Sequence, residues 1–221
     1  MDDFGGHCQP DNRLIWHELR EDLADQLDAV LGGAQDERPL QAFFEQHPFV
    51  LPLALLGGLH QYSWVFPQPR LGNGIYIPDF VACDRDSLGF QWKLVELESP
   101  TASATNKDDS VSHACHHAVQ QIRDYKRWLR DNLGFERQHG WHEITGECES
   151  WIVIGRRGDR SEIARERLAD FKKESIAIHS YDHIVEGYRH AQAYINSEIR
   201  RIEEFARVHG PFPGLAGGGN H

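Results

Sequence analysis

Apolar residues recur at helical spacing from Asn12 to Leu31, at Leu14, Ile15, Leu19, Leu23, Leu27, Val30 and Leu31, and Gly32-Gly33 closes that run. A second short helix is predicted over about Arg38 to Gln46, with Leu40, Phe43 and Phe44 on its apolar face and Pro48 beyond its end. Phe49 to Leu56 reads as a further apolar turn before Gly57-Gly58. The period then shortens. Tyr62 to Phe66, Gly74 to Cys83 and Phe90 to Glu98 read as strands, with Pro67, Pro69, Gly72, Asn73 and Gly74 making the first connection a turn.

Thr101 to Asp109 has no apolar side chain larger than alanine and is expected to be an exposed loop. A long helix follows from near Ser110, striped by Val111, Ala114, Ala118, Ile122, Tyr125 and Leu129 and expected to end at Gly134. Trp151 to Ile154 reads as a buried strand, Arg160 to Lys173 as a helix, Ile176 to Ile178 as a short strand, and Tyr181 to Val208 as one long or two shorter helices. Gly217-Gly218-Gly219 predicts a flexible tail. This order predicts an α/β fold: a mixed β-sheet flanked by helices on both faces. The expected organisation is a helical preface over 1–58, whose second helix joins the core, a main α/β domain over 59–208 and a tail over 209–221.

Chemistry concentrates on three acids. Glu96 and Glu98 are two apart in an extended run, so they face the same side while Leu97 faces away. Burying two carboxylates together is costly unless a cation or hydrogen-bond donor compensates, so the pair marks a metal site, an acid/base site or a solvated strand end. Asp79 precedes Glu96 by 17 positions, room for a strand, a turn over Asp84 to Gly89 and a return strand that places the two opposite each other. A divalent-metal site is the reading this arrangement favours; the plainer one makes Asp79 a turn-capping acid after Pro78.

Composition narrows the setting. Hydrophobic content of 40% and aromatic content of 10% suffice for a packed core. The chain shows no apolar stretch near the roughly 18 residues of a membrane helix and no signal-peptide pattern, so no membrane partner and a cytoplasmic location are expected. Cys8, Cys83, Cys115 and Cys148 are scattered without a CxxC pair, which suits a reducing compartment. The formal net charge of −11 runs against general phosphate binding, although a local basic stripe or bound cations would change the local field. His113 and His117 lie one helical turn apart, but without an HExxH motif they read as exposed helix histidines. Arg123, Lys126, Arg127 and Arg130 form either a DNA-facing ridge or a solvated face, with Asp124 and Asp131 favouring the latter.

Pro78-Asp79 and Glu96-Leu97-Glu98, on successive strands ahead of a helix, resemble the PD-(D/E)XK nuclease superfamily. Within it, the chain is similar to the Shedu group of bacterial antiphage proteins. The matching stretches are Phe43 to Pro48, Pro78 to Phe80, Val95 to Pro100, Ala118 to Tyr125, Ile154 to Arg156 and Ser180 to Asp182. The resemblance implies a restriction-endonuclease-like core and a metal-dependent DNA endonuclease. Asp79 and Glu96 would hold Mg2+ or Mn2+, with the backbone carbonyl of Leu97 as a further oxygen ligand. Glu98 stands where a lysine is usual, so its role becomes that of a base or a further metal ligand. Gln121 and Tyr125, one turn apart on the long helix, resemble a QxxxY pair that steadies the site, and Glu45 adds a carboxylate in some relatives. Lys93 falls on the wrong strand face to replace the missing lysine; Lys107 in the loop and Arg156-Arg157 after the buried strand are the candidate nucleic-acid contacts. The resemblance further implies a homo-oligomer and a phage-derived trigger. A nuclease fold kept as an inactive binding or sensing module, or a nuclease acting on RNA, are the alternatives.

Overall fold

The computed structural model describes residues 22–56, 63–158 and 161–209. Cys8, the first half of the predicted amino-terminal helix, Gly57-Gly58, Tyr62, Arg160 and the glycine-rich tail lie outside the described residues. Three helices open the described chain: α1 (Leu23–Gly33), α2 (Arg38–Gln46) and α3 (Val50–Leu56). The strands are β1 (Ser63–Pro67), β2 (Phe80–Asp86), β3 (Gly89–Leu97), β4 (Glu149–Val153) and β5 (Ile176–His179). Between and after them lie α4 (His113–Asp131), α5 (Leu133–Gln138), α6 (Glu162–Ala169) and α7 (Tyr181–His209). The sheet runs in the order β1-β2-β3-β4-β5.

Connection length sets strand direction. A tight turn joins β2 to β3 with Asp86 opposite Gly89, so that pair is antiparallel, as is β1 with β2. The passage from β3 to β4 runs through α4 and α5, and that from β4 to β5 through α6, so both are parallel. The mixed α/β sheet between helical layers that the sequence predicts is the architecture observed. On one face, Phe80, Ala82, Val95, Leu97, Trp151 and Val153 pack with α1, α2, α3 and α7. On the other, Val81, Cys83, Trp92, Leu94, Ile152 and Ile154 pack under the α4 stripe of Ala118, Ile122, Tyr125 and Leu129. Strand β3 is therefore covered on both faces, and a carboxylate on its even-numbered side meets α4.

Among the boundaries that differ from the sequence reading, three have a clear physical reason. The strand expected from Gly74 starts only at Phe80, because Gly72, Asn73 and Gly74 all take positive φ and make a 3₁₀ turn. Helix α4 stops at Asn132, and Gly134 lies inside α5, whose Glu136 folds back toward α4 and receives the Trp128 indole N–H at 2.8 Å. The predicted helix up to Lys173 ends at Ala169 and tightens into a 3₁₀ turn over Asp170–Glu174. Phe49 to Leu56 contains α3, and Tyr181 to Val208 lies within one continuous helix.

The polar stretch after β3 is built, not loose. Thr105 and Val111 form a bridge, Asn106 N–H donates to the Ser110 carbonyl at 2.8 Å, and Ala104 is buried beneath them. Gly155, at φ 65°, lies so close that a β-carbon would overlap the Ala102 carbonyl oxygen. Gly155→Ala is expected to cost about 2–4 kcal/mol of stability through this clash and the left-handed backbone, measured by urea unfolding.

Candidate active site

The β2–β3 register is Phe80 with Val95, and its continuation sets Asp79 opposite Glu96. Asp79 sits just before β2, where its carbonyl accepts the Gln68 N–H at 2.8 Å and its Oδ2 accepts the Leu97 N–H at 2.7 Å. These bonds join the Pro78 turn to both neighbouring strands. Glu96 follows Trp92 and Leu94 on the α4 side of β3 and is only 5% exposed. There it neighbours Asp79 and Tyr125, each close enough to shift its protonation, and Gln121 lies beside Tyr125. Asp79, Glu96, Gln121 and Tyr125 thus lie together, with the Tyr76 ring packed edge-on against Tyr125 at 5.6 Å.

The electrostatics are those of acids without a cation. Burial raises the Asp79 pKa to about 6; Glu37 and Glu45 push the same way, against the Leu97 N–H. Burial, then the neighbouring Asp79, drives Glu96 well above the usual carboxylate range. Its Oε1 is buried without a hydrogen-bond partner. The Tyr125 hydroxyl is held neutral by burial and by the Glu96 charge. Burial also raises Glu98, opposed by the adjoining His117, whose Nδ1 lies 3.7 Å from Glu98 Oε1. Glu98 lies just past the end of β3, half-buried, with its N–H donating to Val153 and its carbonyl accepting the buried Tyr181 hydroxyl at 2.8 Å.

These residues fit a divalent cation. An orphaned carboxylate oxygen facing a second carboxylate is an arrangement that a hard cation satisfies and nothing nearby does. Among the described residues, no three His, Cys, Asp or Glu side chains converge in metal-holding geometry. A cation here would have the side chains of Asp79 and Glu96 as its protein carboxylates, with backbone carbonyl or water oxygens completing its shell.

The cations sit elsewhere. Lys93 is buried on the opposite sheet face, 3.1 Å from Asp84 and over the Trp151 ring, as its odd spacing from Glu96 predicts. Lys107 is exposed at the tip of the ordered loop. Arg156 makes two bonds to Asp182 Oδ1, at 2.9 and 2.7 Å, and Arg157 makes a fork of 2.7 Å bonds to Glu186. Both arginines line a cavity of about 430 Å³ together with Pro100 to Ser103. Arg123, Arg127 and Arg130 pair with Glu174, Asp124 and Glu147, and Lys126 Nζ donates to the Glu174 carbonyl at 2.6 Å, the behaviour of a structural face.

Sequence reading did not single out Glu37, His117 or Tyr181 for this site. Glu37 acts electrostatically on Asp79, Glu98 and Tyr181 from the start of α2. No local pattern marks it. His117 was legible only as a helix histidine, although it lies one turn before Gln121 on the helix face that meets Glu98. Tyr181 belongs to a stretch already matched to the Shedu group, which was the available signal.

A family model described as "Shedu protein SduA, C-terminal" matches residues 34–185. No curated protein matches the chain. Among solved structures, the restriction endonuclease FokI bound to DNA is similar at 13% identity and a TM-score of 0.49, covering 84% of this chain. The chain spans only 30% of the length of that FokI chain.

Proposed function

The chain belongs to the family of the Shedu protein SduA C-terminal region, and from that premise we propose that it is a metal-dependent nuclease that hydrolyses DNA phosphodiesters in antiphage defence. The observation that carries this reading is the pairing of half-buried Asp79 with buried Glu96 and its orphaned oxygen. Asp79, Glu96 and the Leu97 carbonyl would hold Mg2+ or Mn2+, which when bound polarises a phosphoryl oxygen and acidifies a water.

The protein's own groups have distinct tasks. Asp79 is anchored by the Leu97 N–H, and Glu96 is held in place by its burial on β3 beside Tyr125. Gln121, beside Tyr125 on the same helix face, acts as a positioning residue. Glu98, half-buried at the mouth with its pKa raised, accepts the proton of the attacking water, and His117 beside it steadies the charge. With acids at the centre, Lys107, Arg156 and Arg157 are left to hold the backbone on either side, the arginines by exchanging carboxylate partners for phosphate.

Supercoiled plasmid, linear DNA and RNA incubated separately with EDTA, Mg2+ or Mn2+ test the reading. Plasmid cleavage confined to the metal-containing reactions is expected. Preferential RNA cleavage would move the assignment to RNA, and no cleavage of any substrate would favour a binding module. Saturating metal, at about a hundred times its Kd, is expected to stabilise the protein by about 2.7 kcal/mol in thermal unfolding. The family reading also carries a homo-oligomer and a phage-derived trigger, which light scattering and infection assays test.

A further inference from the structure

The loop that delivers Asp79 carries a second feature. Between β1 and β2 the chain is clamped onto α4 and α5: the buried Glu136 accepts the Gly72 N–H at 2.7 Å and the Trp128 indole N–H at 2.8 Å through one oxygen. Leu71 and Tyr76 exchange N–H···O bonds of 2.9 and 3.2 Å. The Tyr76 ring rests against both Tyr125 and Trp128, with centroids 5.6 and 5.7 Å away. A β-carbon on Gly72 would press on the Trp128 indole at 3.0 Å, so the glycine permits this close seating.

With Tyr76 turned inward, its neighbours turn outward. Ile75 is 67% exposed and Ile77 46% exposed. Two β-branched alkyl side chains are thereby held in water on a braced loop, beside the exposed Arg70. Their positions relative to the acids are limited by the chain. Ile77 is two residues from Asp79 and Ile75 four, so their Cα atoms lie within about 7 and 14 Å of it. Nucleotides follow one another at about 3.4 Å along a strand of duplex. The nucleotides adjoining a phosphodiester seated on Asp79 and Glu96 are therefore within reach of this loop.

We propose that Ile75 and Ile77 are groove-contacting residues for the nucleic acid, packing on the sugars and base edges beside the scissile phosphate, with Arg70 on the flanking backbone. Apolar side chains on rigid elements serve this role where a protein must hold a distorted or widened groove. The inference rests on the reading that a phosphodiester is the substrate. The competing occupant of the same apolar pair is a second copy of the chain.

Binding of a short fluorescent duplex, followed by anisotropy with Ca2+ replacing Mg2+, separates these cases. Ile75→Ser/Ile77→Ser is expected to weaken binding about tenfold through lost apolar contact. Its slope of log K against log salt should match wild type, since no phosphate contact is removed, whereas Arg70→Ala should lower that slope by about one. Thermal stability and the metal-induced shift should be unchanged in the double variant, because both side chains are already exposed. Wild-type affinity in the double variant would overturn the proposal, as would a change confined to sedimentation, which would assign the pair to self-association. Wild-type protein that binds metal but no duplex or RNA would instead remove the phosphodiester reading, and the inference with it.

Discussion

Asp79→Ala is expected to abolish metal-dependent cleavage, lowering the rate by about three orders of magnitude. The residue is a proposed metal ligand and the neighbour that faces Glu96 across the β2–β3 register. Alanine also removes the acceptor for the Leu97 N–H, so a second variant separates chemistry from folding. Asp79→Asn keeps an oxygen for that N–H while losing the charge, and it should be folded and equally inactive. Cleavage of plasmid by either variant at more than a tenth of the wild-type rate would contradict the assignment. Circular dichroism and urea unfolding establish that both remain folded.

The second expectation concerns the protein without metal. A carboxyl raised to about 6 when folded, against an ordinary 3.8, binds its proton more tightly in the native state. The native state therefore carries more protons between these values, and stability falls as pH rises. The relative stabilisation is complete below about 3.8 and is lost as pH passes through about 6, a cost to the metal-free protein of about 3 kcal/mol at neutral pH. Glu96, raised further, adds to the same slope. In EDTA at pH 7.5, Asp79→Asn should thus raise the melting temperature, by roughly 6–12 °C for a chain of this size. Glu96→Gln should shift it in the same direction. Both variants should lose the stabilisation that metal gives the wild type. A drop in melting temperature for both variants in EDTA would show that the acids stabilise the fold rather than strain it.

The opposing signs of these effects explain what was legible in the sequence. Glu96 and Glu98 were visible because two acids at alternate positions interrupt an apolar strand. Asp79 was visible because the intervening length permits a hairpin that sets it opposite Glu96. Helical period set Gln121 and Tyr125 on one face, and the resemblance to a QxxxY pair assigned them to the site. The turn at Gly72 to Gly74 was legible, but the stretch from Gly74 to Asp79 was misjudged as the start of a strand, since Ile75, Tyr76 and Ile77 alternate as a strand would. What overrides that alternation is tertiary: Glu136, more than sixty residues away, captures the Gly72 N–H. The polar loop from Thr101 to Asp109 looked unstructured because its order comes from backbone bonds and from contact with Gly155, neither of which leaves a hydrophobic pattern. Likewise, the ion pairs of Arg156 and Arg157 were not legible, because their carboxylate partners, Asp182 and Glu186, lie on a helix whose docking no local pattern predicts.

The central claim is that Asp79 and Glu96 are cation ligands, and calorimetric titration of Mn2+ into the metal-free protein near pH 6 tests it most directly. Asp79 is partly protonated there and burial makes Glu96 hold its proton more tightly than an ordinary carboxyl, so binding should release protons, seen as a heat that varies with the ionisation enthalpy of the buffer. The account predicts saturable binding with that proton release in the wild type and neither in Asp79→Ala. Saturable binding of equal strength in Asp79→Ala, or no binding to the wild type, would contradict it.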